Sequence, residues 1–234
     1  MKKYGIIAAM KEEMQEIEKI MTEIEIKKIY ELNFIEGKIN NTEIVLVEAG
    51  IGKVNAARTT QILIDNFDID AVINVGSAGS ANDELDIGDI VIADKLIQHD
   101  FDITAFGHPK GYISNVGQFV ECDIRLIENM RTTISTINDN EFKIKIGTIA
   151  SGDIFVAEDS VRNRISEQFN AAAAEMEGAA IGHVCTMNNI PFAVLRAMSD
   201  CANDDSHVDF PTFAAEAAKK SIEIITLFLA EVIK

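Results

Sequence analysis

Three acidic positions stand out by residue type and spacing: Glu13, the pair Glu175 and Glu177 around Met176, and Asp200. Asp200 closes the run Arg196-Ala-Met-Ser-Asp200, just beyond the stretch from Phe192 to Met198 that reads as a buried strand. In an open α/β sheet the ligand crevice lies outside the carboxyl ends of the strands, so a carboxyl group there is placed for chemistry rather than for packing. Its other reading is a turn or cap residue among Ser199, Asn203 and Asp204. Glu13 falls inside the apolar arc that Met10, Met14, Ile17, Ile20 and Met21 make at about 100° per residue. A carboxylate on that side is costly unless paired or functional. Partial burial suits a general base, although an acid in a first helical turn is also favoured by the helix dipole. Glu175 and Glu177 flank Met176 where a strand turns into a helix. There they bind vicinal hydroxyls by charge-assisted hydrogen bonds, or they cap the helix. Arg196 orients a carboxylate or hydroxyl, or pairs with a buried acid. Three acidic sites at three strand ends point to an enzyme that works by proton transfer.

The elements that must position these residues alternate along the chain. Strands are expected at Tyr4 to Ala9, Ile26 to Ile35, Glu43 to Glu48, Ala71 to Val75, Ile87 to Leu96, Phe142 to Ala150, Ala171 to Glu175 and Phe192 to Met198. Helices are expected at Lys11 to Met21, Val54 to Asn66, Asp123 to Ile137, Val161 to Phe169, Glu177 to Met187 and from Pro211 onward. Gly37 and Asn40-Asn41 read as turns. Alternation of this kind predicts a single α/β domain over residues 1–234, a three-layer fold with a central mixed sheet flanked by helices. Met10, Ile51, Ser77, Phe155, Glu177 and Asp200 each lie just past an expected strand and would converge on one sheet edge. The stretch Asp100 to Gln118, with three glycines and Pro109, is the longest irregular one and suits a lid or a subunit contact.

Composition narrows the partners. The chain has 234 residues and a net charge of −17, a surface that would repel nucleic acid and anionic membranes. Three cysteines without a C-x-x-C pair suit a reducing, cytoplasmic setting. No apolar run approaches the roughly 18 to 20 residues that span a bilayer. The four histidines show no ligand spacing, so no metal is expected. Gly50-Ile-Gly-Lys53 only faintly echoes a dinucleotide loop. Asn74-Val-Gly-Ser-Ala-Gly79 reads as a turn whose N–H groups and Ser77 could hold an anion or a water.

The runs Gly5-Ile-Ile-Ala-Ala-Met-Lys-Glu-Glu13, Gly50-Ile-Gly-Lys53, Asn74-Val-Gly-Ser-Ala-Gly79, His99-Asp100, Thr104-Ala-Phe-Gly107, Ser151-Gly-Asp153, Glu175-Met-Glu177 and Arg196-Ala-Met-Ser-Asp200 occur in one order over nearly the whole chain. In that combination the sequence resembles the bacterial 5'-methylthioadenosine/S-adenosylhomocysteine nucleosidases of the nucleoside phosphorylase superfamily. The resemblance implies hydrolysis of the adenine–ribose bond of methylthioadenosine, adenosylhomocysteine and 5'-deoxyadenosine, in methionine salvage, with no metal or organic cofactor. By position it implies that Asp200, supported by Ser199, protonates adenine N7 and that Glu13 deprotonates the attacking water. Glu177 and Met176 would hold the ribose hydroxyls, and Ser77 and Arg196 the water and ribose side. Phe155 and Val156 would frame the purine. Met10, Ile51 and Phe210 would line the sugar and alkylthio region. Ile103 and Phe106 would come from a second subunit, implying a homodimer. Three other readings stand beside this one: a nucleosidase for aminodeoxyfutalosine, a phosphate-dependent purine nucleoside phosphorylase, and a non-enzymatic purine-binding protein. A phosphorylase needs a cationic cradle for its nucleophile, and no arginine adjoins Ser77.

Overall fold

Among the described residues a ten-stranded mixed sheet carries the chain, and six α-helices pack against it in this computed structural model. The structure describes residues 2–136, 142–203 and 206–231. The strands are β1 (Lys3–Ala8), β2 (Thr22–Ile29), β3 (Leu32–Ile39), β4 (Thr42–Glu48), β5 (Ala71–Ser80), β6 (Ile90–Gln98), β7 (Val120–Glu121), β8 (Ile144–Ser151), β9 (Ala171–Glu175) and β10 (Phe192–Asp200). The helices are α1 (Lys11–Glu18), α2 (Lys53–Asn66), α3 (Ile124–Thr136), α4 (Asp159–Phe169), α5 (Gly178–Met187) and α6 (Ser206–Glu231).

Two parallel sets make up the sheet. β4, β1, β5 and β10 run parallel to one another, as do β6, β8 and β9. The sets meet antiparallel at two seams, β10 with β6 and the end of β5 with β9. β5 pairs with both β10 and β9, so β5, β10, β6, β8 and β9 close into a ring, with β1, β4, β3 and β2 as an extension. The acidic positions therefore reach one place from the carboxyl ends of both sets, because the sheet curls, and not from one straight edge.

Local sequence explains the elements. β10 is buried along its whole length, and its one charged side chain before Asp200 is the paired Arg196. β9 is four alanines and Glu175, all buried, small enough to sit inside the ring. Asn170 stops α4 in the left-handed conformation that asparagine tolerates, turning the chain straight into β9.

Several expected boundaries differ. The run read as one strand from Ile26 to Ile35 is two antiparallel strands, broken where Tyr30 and Glu31 take φ of +47° and +67°. Gly37 lies inside β3, whereas Asn40-Asn41 is a turn as expected. α1 stops at Glu18, three residues before Met21. The apparent turn Asn74 to Gly79 is the second half of β5, and β10 runs through Asp200 itself. In both cases small and polar residues inside a strand look like strand ends, because burial of a strand's polar tip cannot be seen in a local pattern. The irregular stretch 100–118 contains one turn of 3-10 helix, Thr104–Phe106. Ile137 lies outside the described residues.

Candidate active site

A cavity of about 340 Å³ opens between the two strand sets, and Glu13, Glu177 and Asp200 all lie on its wall. Among the described residues no lysine or arginine lines it.

Glu13 is buried on the inward face of α1, beside the end of β5. Its Oε2 accepts the N–H groups of Ala9 and Met10 at 3.0 and 3.1 Å. Its Oε1 accepts the N–H and the hydroxyl of Ser77 at 3.1 and 3.2 Å. The carboxylate thus closes the N-terminus of its own helix, where the helix dipole also favours it, and ties that helix to β5 while lining the cavity. The approach is close enough that a Cβ on Gly76 would stand 2.9 Å from Oε1.

Asp200 has donors of its own. Ser199 donates its hydroxyl to Oδ2 at 2.9 Å, and the Ala202 N–H donates to Oδ1 at 2.8 Å. A Cβ on Gly79 would stand 2.7 Å from Oδ1, so this glycine too is required by space.

The two acids around Met176 divide the work. Glu175 binds Ser151 Oγ–H, the N–H groups of Glu177 and Gly178 at 3.1 and 2.8 Å, and the Arg196 guanidinium. It lines the cavity, yet its oxygens are already engaged by protein donors. Arg196 is buried between Glu175 and Asn74, whose Oδ1 it reaches at 2.6 Å, and it is absent from the cavity wall. The ion-pair alternative for Arg196 is therefore the one the geometry favours. Glu177 holds the N-cap position of α5 without a side-chain cap, and its carboxylate accepts one backbone N–H, that of Gly52, at 2.9 Å. Burial, the neighbouring Glu175 and Glu13 push its carboxyl up to about 7 against the opposing pull of Arg196 and the Gly52 N–H. Of the two, Glu177 is the one with capacity left for a ligand.

The rest of the wall is apolar. Met10, Ile51, Met176, Phe155, Val156 and Phe210 all lie on it, and the Phe155 and Phe210 rings meet edge to face at 5.6 Å. Ile51, Ile154 and Phe155 line the cavity and remain 54%, 47% and 44% exposed, so this side faces outward. Ile103 and Phe106 are off this chain's own cavity wall, and Phe106 is 81% exposed. No group of three or more His, Cys, Asp or Glu among the described residues could hold a metal ion.

The sequence reading missed Gly76, Gly79, Ser151, Asn74, Ile154 and the Gly52 N–H. The glycines and Ser151 lie in runs it quoted, but nothing local shows which side chain will press against a glycine from another part of the chain.

A curled mixed sheet holding carboxylates around one cavity at its strand ends defines a class of α/β enzyme, and the model of the phosphorylase superfamily matches residues 3–230. A 5'-methylthioadenosine/S-adenosylhomocysteine nucleosidase of Staphylococcus carnosus is 41% identical over 222 residues, 94% of this chain and 96% of that protein. The chain belongs to the 5'-methylthioadenosine/S-adenosylhomocysteine nucleosidase family of that superfamily, and it is a hydrolase. The nucleosidase of Streptococcus pneumoniae, solved with a transition-state inhibitor, superimposes with a TM-score of 0.93 at 38% identity, covering 98% of this chain and 99% of that one. A futalosine hydrolase mutant of Helicobacter pylori superimposes with a TM-score of 0.94 at 33% identity, covering 99% of this chain and 100% of that one.

Proposed function

We propose that this enzyme hydrolyses the N-glycosidic bond of 5'-methylthioadenosine and S-adenosylhomocysteine, and of 5'-deoxyadenosine, releasing adenine and the 5-substituted ribose. The observation that carries this reading is one cavity with Glu13, Glu177 and Asp200 on its wall and no cation among the described lining residues. Departure of a glycosidic leaving group passes through an oxocarbenium-like state, cationic at the sugar and anionic at the base. A carboxylate surround stabilises the first, and an acid at the base neutralises the second.

The hydrogen bonds at the three carboxylates support the following roles. Asp200 gives its proton to adenine N7 as the C1'–N9 pair withdraws into the base, while Ser199 and the Ala202 N–H hold the carboxyl in place. Water attacks C1' and loses a proton to Glu13, whose four donors fix its orientation. Ser77, bonded to Glu13, stands beside the water's position. Glu177 accepts the ribose hydroxyls with Met176 packed against the sugar, and Phe155 and Val156 frame the purine. Met10, Ile51 and Phe210 enclose the 5'-substituent. Arg196 acts through Glu175, not by touching the sugar. The outward-facing apolar wall supports a homodimer in which Ile103 and Phe106 of a second copy complete the 5' side. Such an enzyme belongs to methionine salvage.

Phosphorolysis is disfavoured, because a phosphate nucleophile would meet carboxylates with no guanidinium to hold it. Aminodeoxyfutalosine is kept as a second substrate by the likeness to the Helicobacter futalosine hydrolase. The test is adenine release from methylthioadenosine with and without phosphate, with the sugar product identified. Phosphate-independent release with free 5-methylthioribose is expected. A sugar 1-phosphate formed only with phosphate present would overturn the reading.

A further inference from the structure

Glu177 depends on a hydrogen bond whose donor is itself held from outside the cavity. That donor, the Gly52 N–H, sits at the N-terminus of α2 on a residue with φ of +98°, in the left-handed region that favours glycine. A Cβ at Gly52 would also stand 3.1 Å from Asp153 Oδ1. The surrounding contacts form a ring through three loops. The Lys53 N–H donates to Asp153 Oδ1 at 2.8 Å. The Asp153 N–H donates to Asp100 Oδ2 at 2.9 Å. The Lys53 ammonium closes the ring on Asp100 Oδ1 at 2.6 Å and also reaches Gln98 Oε1 at 3.3 Å. The three loops follow β4, β6 and β8, and none of Lys53, Asp100 and Asp153 lies on the cavity wall.

Surface ion pairs contribute little, but this one is largely shielded, with side chains 16% and 18% exposed. Burial acts to raise the Asp100 carboxyl, and Lys53, the Asp153 N–H and His99 outweigh it and hold it below the usual range. The ring ties down both residues beside the critical donor: Lys53 directly, and Asp153 on the segment leading to Phe155 and Val156.

We propose that Lys53 and Asp100 are positioning residues, whose ion pair, tied through Asp153, keeps the Gly52 N–H on Glu177 and so fixes that carboxylate for the ribose hydroxyls. The inference rests on the reading that Glu177 receives those hydroxyls. Loosening the ring frees Glu177 to turn away from the sugar while Glu13 and Asp200 keep their own donors. The cost then falls on recognition of the hydroxyls and not on the chemistry at C1'.

The experiment measures kcat/KM for methylthioadenosine and for its 2'-deoxy and 3'-deoxy counterparts in the full-length enzyme and in D100N, K53M and E177Q. The wild type is expected to favour the ribonucleoside by at least about a hundredfold, toward the roughly ten-thousandfold with which a site built to hydrogen-bond a hydroxyl rejects the analogue lacking it. E177Q should erase most of that preference. D100N and K53M should cut it by about tenfold, by slowing the ribonucleoside while the deoxy substrates change by less than about twofold. Adding D100N to E177Q should cost nothing further. Equal losses on all substrates, or a preference left intact in D100N and K53M, would overturn the proposal. A wild type without the preference, or an E177Q that keeps it, would instead overturn the assignment of Glu177 and the proposal with it. Should D100N fail to fold, K53M carries the test, since it leaves every backbone donor in place.

Discussion

At the scale of single residues, three buried carboxylates are distinguished by what donates to them. Asp200 has a hydroxyl and one N–H, Glu13 has three N–H groups and a hydroxyl, and Glu177 has one N–H. Replacing Asp200 by Asn keeps the shape and removes the carboxyl group. D200N should lower kcat by at least about a thousandfold with an unchanged circular dichroism spectrum. A near-normal rate would remove Asp200 from the acid role. E13Q should lose turnover and still bind adenine nucleosides with near-wild-type affinity by calorimetry; lost binding would make Glu13 structural instead. Glu177 makes a prediction about stability. Its carboxyl is pushed up to about 7, by burial first and then by Glu175 and Glu13, with Arg196 and the Gly52 N–H opposing. Between the ordinary carboxylate range and that value, the unfolded chain has released a proton that the folded chain retains. The contribution is therefore fully present at low pH and is lost as pH rises through about 7, by at most about 3 kcal/mol. Denaturant titrations of wild type and E177Q at pH 5 and pH 8 should show the variant gaining relative stability at pH 8. A gap independent of pH would sink this account.

At the scale of elements, the site is a set of close approaches between segments distant in sequence. α1 docks on β5 through Glu13 and Ser77, and β5 lies against the end of β10 beside Asp200. Those approaches need bare backbone at Gly76 and Gly79. G76A should therefore push Glu13 off its place. We expect a drop in kcat of about a hundredfold with a loss of stability of only about 1 to 3 kcal/mol, the usual range for overpacking. Steady-state kinetics beside thermal unfolding would test this, and a G76A enzyme with full activity would show that Glu13 tolerates a shift. Both glycines stand in a run whose type and order were legible in the sequence. Their reason was not, because the atom each would strike belongs to α1 or to β10. Similarly, the two acids around Met176 look equivalent in one dimension. Arg196 and Ser151 arrive from other strands and engage Glu175, leaving Glu177 with a single backbone donor.

At the scale of the whole molecule, the cavity is walled by one chain on the acidic side and left open on the apolar side. Ile51, Ile154 and Phe155 face outward there, and Phe106 stands 81% exposed on a separate loop. Covering such groups is favourable in water, and a second copy can do so symmetrically. F106A should raise KM for methylthioadenosine by about tenfold with a smaller effect on kcat, and F106E should shift the sedimenting species toward a single chain. Full activity in a species of one-chain mass would exclude a contribution from a second copy. No helix among the described residues is long and apolar enough to cross a membrane.

Sequence alone determined the alternation of strands and helices, the inward face of α1 that carries Glu13, and the placing of Asp200 at a strand end. These follow from short-range periodicity, since a helix or strand repeats its buried side within a few residues. The family was also legible, because its ordered motifs extend over nearly the whole chain. Tertiary structure alone decided that the sheet curls, so that two strand sets present their carboxyl ends to one cavity. It decided that Asn74 to Gly79 is strand rather than turn, that Arg196 serves Glu175, and that Lys53, Asp100 and Asp153 form a ring behind Glu177. Each of these depends on a contact between residues tens of positions apart, and such contacts leave no periodic trace in either partner's own neighbourhood.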